Sequence, residues 1–190
     1  CDDEVNTFFE EPPVEINYSL DWVQTFGGSG EETAQSVVST NDGGFAVLGY
    51  TNSIDGDLAG KSLPVNDYWL LKFGASGDLQ WNKTYGGSKD DRGQSVIQTT
   101  VGGYAVVGYA MSDDGDGSLN QGFHDNWIVR LDANGDILWE KSFGFSGHDH
   151  AYDIVQTSDG GFFFSGFLDV TSSGGDGNSR KKITTYAQHG

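Results

Sequence analysis

Three stretches of this chain are near-copies of one another. Residues 22–28, 81–87 and 139–145 read WVQTFGG, WNKTYGG and WEKSFGF. The first residues of these stretches are tryptophans, separated by 59 residues and then by 58 residues. A repeat this long must be one supersecondary unit that buries its apolar faces against neighbouring units. The chain therefore predicts a repeat architecture.

Each unit holds short runs that are typical of β-strands. In the first unit these are residues 35–40, 45–50 and 67–73, followed by the run that begins at Trp81. They are rich in Val, Ile, Tyr, Phe and Trp and are bounded by Gly, Asn, Asp and Ser, and none has the length or period of an amphipathic helix. Asn134-Gly135 between two such runs favours a hairpin turn. We therefore expect an all-β fold with four strands per unit.

The runs are apolar on both faces, as in FAVLGY at residues 45–50. A sheet buried on both sides fits a blade packed between other blades, whereas a solvated hairpin would alternate polar and apolar residues. The prediction is a β-propeller with four-stranded antiparallel blades, of which just under three are present. A β-prism or a sandwich is the alternative. The expected division is a tether at 1–19 and repeats at 20–190, with units at about 22–80, 81–138 and an incomplete 139–190.

Residues 131–139, LDANGDILW, resemble the tryptophan-docking signature of quinoprotein-type propellers. Residues 73–81, FGASGDLQW, depart from it by having Gly74 where Asp132 stands. Over residues 20–178 the whole unit is more similar to the long-repeat propellers of secreted and lipid-anchored proteins of Gram-negative bacteria, some of them described as lectin-like. This resemblance implies a propeller and says little about a ligand. A quinone cofactor is implied only by the docking signature, which many non-enzymatic propellers share.

The sequence begins at Cys1, its one cysteine, so no disulfide can form within the chain. Cys1 followed by Asp2-Asp3-Glu4 resembles a mature bacterial lipoprotein after signal-peptide removal. That resemblance implies a multiply acylated Cys1, an outer-membrane location and export to the cell surface; an incidental cysteine at a fragment boundary is the alternative. Residues 1–19 are acidic and contain prolines, and such composition favours an extended tether.

The net charge of −18 argues against nucleic-acid binding, which needs clustered Lys and Arg.

Propellers close with roughly four to eight blades. Just under three units therefore predict either a part of a longer propeller or copies that associate. Open blade edges would favour self-association.

Acidic loops follow the second strand of each unit and are candidate calcium sites. Calcium takes six to eight oxygen ligands, which loops rich in Asp and Gly can supply. The complete calcium-loop pattern with a distal Glu is absent, and Asp and Gly are also ordinary turn formers. A third version of the loop falls at residues 174–177. The candidate ligands are Asp55, Asp57, Asp114 and Asp116.

A second set of acids follows the glycine pair in each unit. Because these acids are copied with the unit, we expect them to stabilise loops; a catalytic acid pair needs two different environments. The set is Glu31, Glu32, Asp90, Asp91 and Asp149.

His148 and His150 could begin a metal site, since residues two apart on a strand face the same side. Zinc needs three or four ligands, and the sequence shows no third one. His124 and His189 look isolated. The expectation is therefore a surface loop without a metal.

Four tryptophans recur at matching positions, which favours structural docking between blades: Trp69, Trp81, Trp127 and Trp139. Trp22, Tyr68 and Asn126 are the candidates for stacking on, or hydrogen bonding to, a sugar.

No phosphate loop, dinucleotide fingerprint, nucleophile elbow or paired-cysteine motif occurs, and no catalytic residue is predicted. The best hypothesis is a non-catalytic, lipid-anchored surface module that binds a glycan or a protein. The alternatives are a propeller enzyme acting on polysaccharide and a purely structural cell-surface component. A unique His or acid, one not copied in every unit, would favour an enzyme.

Overall fold

A computed structural model describes residues 19–118 and 120–169 together with the backbone of residues 185–186. In this part of the chain three antiparallel sheets form, with one short 3-10 turn at Gly56–Leu58. The all-β prediction is confirmed. Cys1 and the predicted tether, except for residue 19, lie outside the described residues, so the lipid anchor stays a prediction. Among the described residues no helix is long and apolar enough to cross a bilayer.

The first two sheets have four strands each, and every strand pairs with its neighbour in sequence. Sheet 1 has the order β1-β2-β3-β4, with bounds Glu32–Ser39, Phe45–Thr51, Asp67–Phe73 and Leu79–Tyr85. Sheet 2 has the order β5-β6-β7-β8, with bounds Asp91–Gln98, Tyr104–Ala110, Asp125–Leu131 and Ile137–Phe143. The prediction of four antiparallel strands per unit is confirmed for these two sheets. The described sheets do not close into a ring.

Sheet 3 has the order β11-β10-β9, with β9 at His150–Gln156, β10 at Phe162–Phe167 and β11 at Thr185–Tyr186. β11 pairs with β10 through Phe162↔Tyr186 and Phe163↔Thr185. In sheet 3, β11 therefore lies next to β10, just as β3 lies next to β2 in sheet 1 and β7 next to β6 in sheet 2. The sequence had indicated an incomplete third unit, since residues 183–190 lack the Asp-x-Trp pattern found at 67–69 in β3 and at 125–127 in β7.

The sheets are offset from the sequence repeat. Trp81 lies inside β4 and Trp139 lies inside β8. Each complete sheet therefore takes its last strand from the start of the next sequence unit, beyond the unit boundaries near residues 80 and 138. The tryptophan is the most visible landmark of the repeat, but the hydrogen-bonded ladder ends only before the glycines that follow it.

The two central strands of sheet 2 are buried on both faces. Every residue of β6 and of β7 is buried. One face packs on sheet 1 and the other on sheet 3, where Val107 and Ile128 meet Ala151 and Ile154. Burying each such aliphatic side chain contributes about 1.5–3 kcal/mol. This explains why the strands carry apolar residues on both faces.

Hydrogen bonds join the sheets at fixed points. The Tyr68 hydroxyl of sheet 1 donates to the Trp127 carbonyl of sheet 2 at 3.1 Å. The Ser95 hydroxyl of sheet 2 donates to the Asp153 carboxylate of sheet 3 at 2.8 Å. These contacts set how each sheet sits on the next and so position the residues at the seams.

The repeated glycine before an aromatic residue in the second strand has a steric cause. β5 is irregular between Gly93 and Ser95, and Gly108 lies opposite on β6. A Cβ atom at Gly108 would lie 2.0 Å from the Arg92 carbonyl oxygen. Gly49 stands in the same relation to Thr33, at 1.7 Å. Only a residue without a side chain fits opposite the irregularity.

Candidate metal centre

Three histidines meet at the seam between sheets 2 and 3. His124 directly precedes β7, and His148 lies just ahead of β9, which begins at His150. A parallel bridge joins His124 to His148. The His124 amide donates to the Gly147 carbonyl at 3.2 Å, and the Asp149 amide donates to the His124 carbonyl at 2.7 Å. The backbone therefore brings two separate chain segments to one point.

The ring nitrogens of the three histidines converge. His124 Nδ1 lies 2.9 Å from His150 Nε2 and 3.0 Å from His148 Nδ1. One ligand atom from each residue lies within 4.8 Å of the others. In a tetrahedral zinc site with bonds of 2.0–2.1 Å, ligand nitrogens stand about 3.3 Å apart. Small rotations of the rings would reach that arrangement.

Hydrogen bonding does not satisfy this cluster well. A neutral imidazole nitrogen carries either one proton or one in-plane lone pair. His124 Nδ1 has two close neighbours and can serve only one of them in an ordinary hydrogen bond. A cation that accepts one lone pair from each ring would satisfy all three nitrogens at once.

The surroundings keep two of the rings neutral. Burial, together with the positive charges that His150 and His148 would carry, lowers the pKa of His124 to about 4. Burial also lowers the pKa of His150, with a further contribution from His148. Neutral imidazole is the form that ligates metals. His148 is exposed, so the cluster is open to solvent on one side.

Aromatic side chains hold the rings in place. The Tyr109 ring is stacked on His150 at 4.1 Å between centroids and lies 4.7 Å from His124. Phe123 lies 4.6 Å from His148. Packing of this kind limits the freedom of ligand side chains and so lowers the entropy that metal binding costs.

The seam between sheets 1 and 2 shares a backbone hydrogen bond with this seam but has no histidines. There the Asp91 amide donates to the Asn66 carbonyl at 2.7 Å, as Asp149 does to His124. The Asn66 side-chain amide donates to Asp90 at 2.5 Å. In the register of the repeats, Asn66, Asp90 and Arg92 stand where the second seam has its three histidines. The three histidines thus replace three other residues of the repeat, and all three replacements lie close together in space.

The prediction that His124 is isolated was wrong. His124 lies beside His148 and His150 and offers the third potential ligand atom that the sequence did not show. His150 also belongs to a strand. The useful signal was the aligned repeat, in which all three residues depart from the pattern. His189 lies outside the described residues.

The candidate calcium ligands accept hydrogen bonds from the backbone of nearby loops. Asp55 and Asp57 accept backbone N–H groups from Ser29 and Gly27, at 2.7 and 2.8 Å. Asp114 and Asp116 repeat these contacts on Ser88 and Gly86, at 2.8 and 3.2 Å. Within the described residues none of the four belongs to a cluster of three or more converging metal ligands. Calcium at these loops stays a prediction, and residues 174–177 lie outside the described part.

The repeated acids after the glycine pair also contact the backbone. Asp91 accepts N–H groups from Gly87 at 3.0 Å and from Met111 at 2.8 Å. Asp149 accepts them from Phe145 and Asp169, at 2.6 and 2.7 Å. Glu32 accepts the Thr51 hydroxyl, the Glu31 amide donates to Asn52, and Asp90 pairs with Arg92. The carboxylates of Glu32, Asp90, Asp91 and Asp149 therefore contact nearby loops or side chains at strand starts, whereas Glu31 does so through its backbone amide.

The four recurring tryptophans make two kinds of contact. Trp81 and Trp139, in last strands, contact Tyr104 and Phe162 of the following sheet, at 5.8 and 5.9 Å between ring centroids. Trp69 donates to Asn82 within its own sheet at 3.1 Å. Trp127 donates to Glu140 at 2.8 Å and packs on Tyr68 of sheet 1.

The residues considered for sugar binding are mostly inaccessible. Tyr68 is fully buried and Asn126 is 2% exposed. Neither can contact a sugar, so that part of the sequence-based interpretation was wrong. Trp22 is 45% exposed, and its ring is stacked on Phe45.

Asp67 is a buried carboxylate with an unusual proton affinity. Its Oδ2 pairs with Lys61 at 3.2 Å, and its Oδ1 has no hydrogen-bond partner. Burial outweighs the attraction of Lys61 and, with the charges of Asp91 and Asp116, raises the pKa of Asp67 to about 7 from 3.8.

We expect Asp67 to make the fold less stable as pH rises from about 4 to about 7. In that window the unfolded chain loses the proton and the folded chain keeps it, so the free energy of unfolding falls with pH. Urea unfolding of wild type and Asp67→Asn at several pH values measures this. The stability of the variant relative to wild type should rise with pH, and a constant difference contradicts the expectation.

Asp42→Asn is the matched control, with the opposite sign. Hydrogen bonds from Lys72 and Thr40 hold the pKa of Asp42 far below its usual 3.8. The contribution of Asp42 to stability is therefore present above about pH 4 and is lost in more acidic solution.

Comparison with known proteins gives no assignment. No protein-family model matches the chain, and no curated protein matches it.

Proposed function

We propose that this chain is part of a β-propeller-type binding module whose functional site is a divalent transition-metal centre, with Zn²⁺ as the best fit. His124, His148 and His150 hold the ion. One observation carries the proposal: the three ring nitrogens converge where the equivalent seam has Asn66, Asp90 and Arg92. Imidazole ligands suit zinc, copper, iron and nickel more than calcium or magnesium.

The order of the sheets supports the propeller part of the proposal. Sheet 2 packs on sheet 1 with one face and on sheet 3 with the other. A last-strand tryptophan contacts the following sheet at both seams. A sandwich has two facing sheets, whereas a propeller repeats one seam between successive sheets. Ring closure would need further units, from a longer chain or from other copies.

The metal gives the binding module its anchor point. Three protein ligands leave one tetrahedral position for a group from outside. The glycan or protein partner expected of a surface module would bind on the side of the centre where His148 is exposed.

Zinc titration by calorimetry tests the proposal. Wild-type chain should bind one Zn²⁺, and His124→Ala should weaken binding by about 100-fold or more, because even loss of a group behind a ligand weakens it about 10–100-fold. His148→Ala and His150→Ala should behave alike. His189→Ala is the matched control and should bind as wild type does.

Two results would contradict the proposal: the absence of stoichiometric zinc binding, or wild-type affinity in His124→Ala. In the first case the purely structural alternative is favoured. A polysaccharide-active enzyme that used this centre would release reducing ends from a glycan in a His148-dependent manner.

A further inference from the structure

Arg92 is a cation on the strand beside Tyr109, the residue that packs on this cluster. Arg92 pairs with Tyr109 across β5 and β6, so their side chains leave the same face of sheet 2. The Tyr109 ring is the one that is stacked on His150 and contacts His124. Tyr109 therefore neighbours Arg92 on the adjacent strand β5, and its ring contacts His124 and His150.

Arg92 is also a departure from the repeat. The equivalent position is Thr33 in sheet 1 and His150 in sheet 3, paired with Tyr50 and Phe167 in the same way. A cation at this position in sheet 2 is not required by the backbone pattern that the three sheets share. Arg92 and two of the histidines are neighbours of the same residue, Tyr109.

The Arg92 side chain is held in a way that leaves its terminal nitrogens available. Its Nε lies 3.0 Å from Asp90 Oδ2 and 3.2 Å from Oδ1. Its guanidinium carbon lies 5.0 Å from the centre of the Tyr50 ring. Among the described residues the two terminal nitrogens make no hydrogen bond, and the side chain is 35% exposed. A guanidinium fixed in this way presents a fork that matches a carboxylate.

We propose that the metal centre binds a carboxylate-bearing ligand, with one carboxylate oxygen on the ion and Arg92 as the second anchor. This inference rests on the proposed function. Zinc with three neutral histidines keeps a double positive charge and one open position, and carboxylate oxygen is among its common ligands. Arg92 adds a guanidinium group of which only Nε pairs with Asp90. An anionic oxygen ligand fits this combination better than a neutral group does.

The rim of the centre suits a carboxylate carried on a larger group. Phe123 is 52% exposed and Tyr152 is 55% exposed, and each has a ring in contact with one of the histidines. Exposed aromatic rings beside a charged anchor add contact area for the rest of the ligand.

The Co²⁺-loaded full chain tests this inference, because the visible absorption of Co²⁺ reports its coordination. Acetate is the probe, and methanol at the same concentration is the neutral control. We expect acetate to change the spectrum of the wild-type protein saturably and methanol to leave it unchanged. Arg92→Gln should weaken acetate binding by between about 10-fold and about 100-fold, the range for loss of a charged hydrogen-bond partner.

Two further variants keep the test decisive. Arg92→Lys keeps the charge and loses the fork, so it should bind acetate more weakly than wild type even if Arg92→Gln does not fold. Lys89→Gln removes an exposed cation that pairs with Asp113, and it should bind acetate normally.

The outcomes separate the two proposals. Failure to load Co²⁺ or Zn²⁺ overturns the metal centre itself. A loaded centre whose spectrum ignores acetate overturns the carboxylate ligand and leaves the metal centre standing. Wild-type acetate affinity in Arg92→Lys and in any folded Arg92→Gln protein overturns the role of Arg92.

Discussion

Gly108→Ala is expected to destabilise the protein by about 3 kcal/mol or more, the upper range for forcing an atom into a packed interior. The added Cβ would lie 2.0 Å from the Arg92 carbonyl oxygen and 2.8 Å from the Tyr68 hydroxyl. The first of these is a backbone atom and cannot rotate away. Relief would require strands β5 and β6 to separate in the middle of the fold.

The neighbouring strand has no room to move. β5 lies against sheet 1, where a Cβ at Gly93 would already meet the Gly49 carbonyl oxygen at 2.8 Å. On its other side the Ser95 hydroxyl bonds Asp153 of sheet 3. Moving β5 away from the added methyl group would therefore disturb both seams of sheet 2.

Urea unfolding followed by circular dichroism measures this effect. Gly60→Ala is the matched control, because a Cβ at Gly60 has no atom within 4 Å and Gly60 has ordinary backbone angles. It should stay within about 0.5 kcal/mol of wild type. Equal stability of the two variants would show that the close approach at Gly108 is not a real constraint.

Trp127→Ala is expected to cost about 4 kcal/mol, in the range for removing a buried Trp or Phe side chain. Trp127 is fully buried and meets the Tyr68 ring edge-on at 4.8 Å between centroids. Its indole N–H donates to Glu140 at 2.8 Å. The substitution leaves a cavity between sheets 1 and 2 and also leaves Glu140 without this donor.

Trp22→Ala is the comparison for Trp127→Ala. Trp22 is 45% exposed and stacks on Phe45 at the open face of sheet 1. We expect a loss of about 1 kcal/mol or less, because a half-exposed side chain removes less apolar area from water. The same denaturation experiment measures both variants, and a larger loss for Trp22→Ala would contradict this account of the core. Trp127→Phe should recover part of the loss, since it refills much of the cavity.

Much of the local structure follows from short-range patterns. The runs predicted as strands at residues 45–50 and 67–73 are β2 and β3 within one residue. Apolar residues on both faces predicted burial on both faces, and sheet 2 has it. These patterns work because strand propensity and side-chain alternation act over a few residues.

Other features depended on contacts between distant residues. The sequence units were divided at their tryptophans, near residues 80 and 138. The last strands of the two complete sheets instead end just before Gly86 and Gly144. Tyr68 looked like an accessible aromatic residue until sheet 2 covered it. Short-range patterns carry no information about which side chain a neighbouring sheet will bury.

The sequence by itself determined the repeat, the strand content and the positions at which His124, His148 and His150 replace Asn66, Asp90 and Arg92 of the preceding units. Only the tertiary structure brought those departures together. His124 belongs to the segment entering sheet 2, and His148 and His150 belong to the segment entering sheet 3. Their rings meet because two sheets pack and a backbone bridge links His124 to His148. Metal ligation needs nitrogen atoms within a few ångströms of one point, and packing between sheets decides that distance.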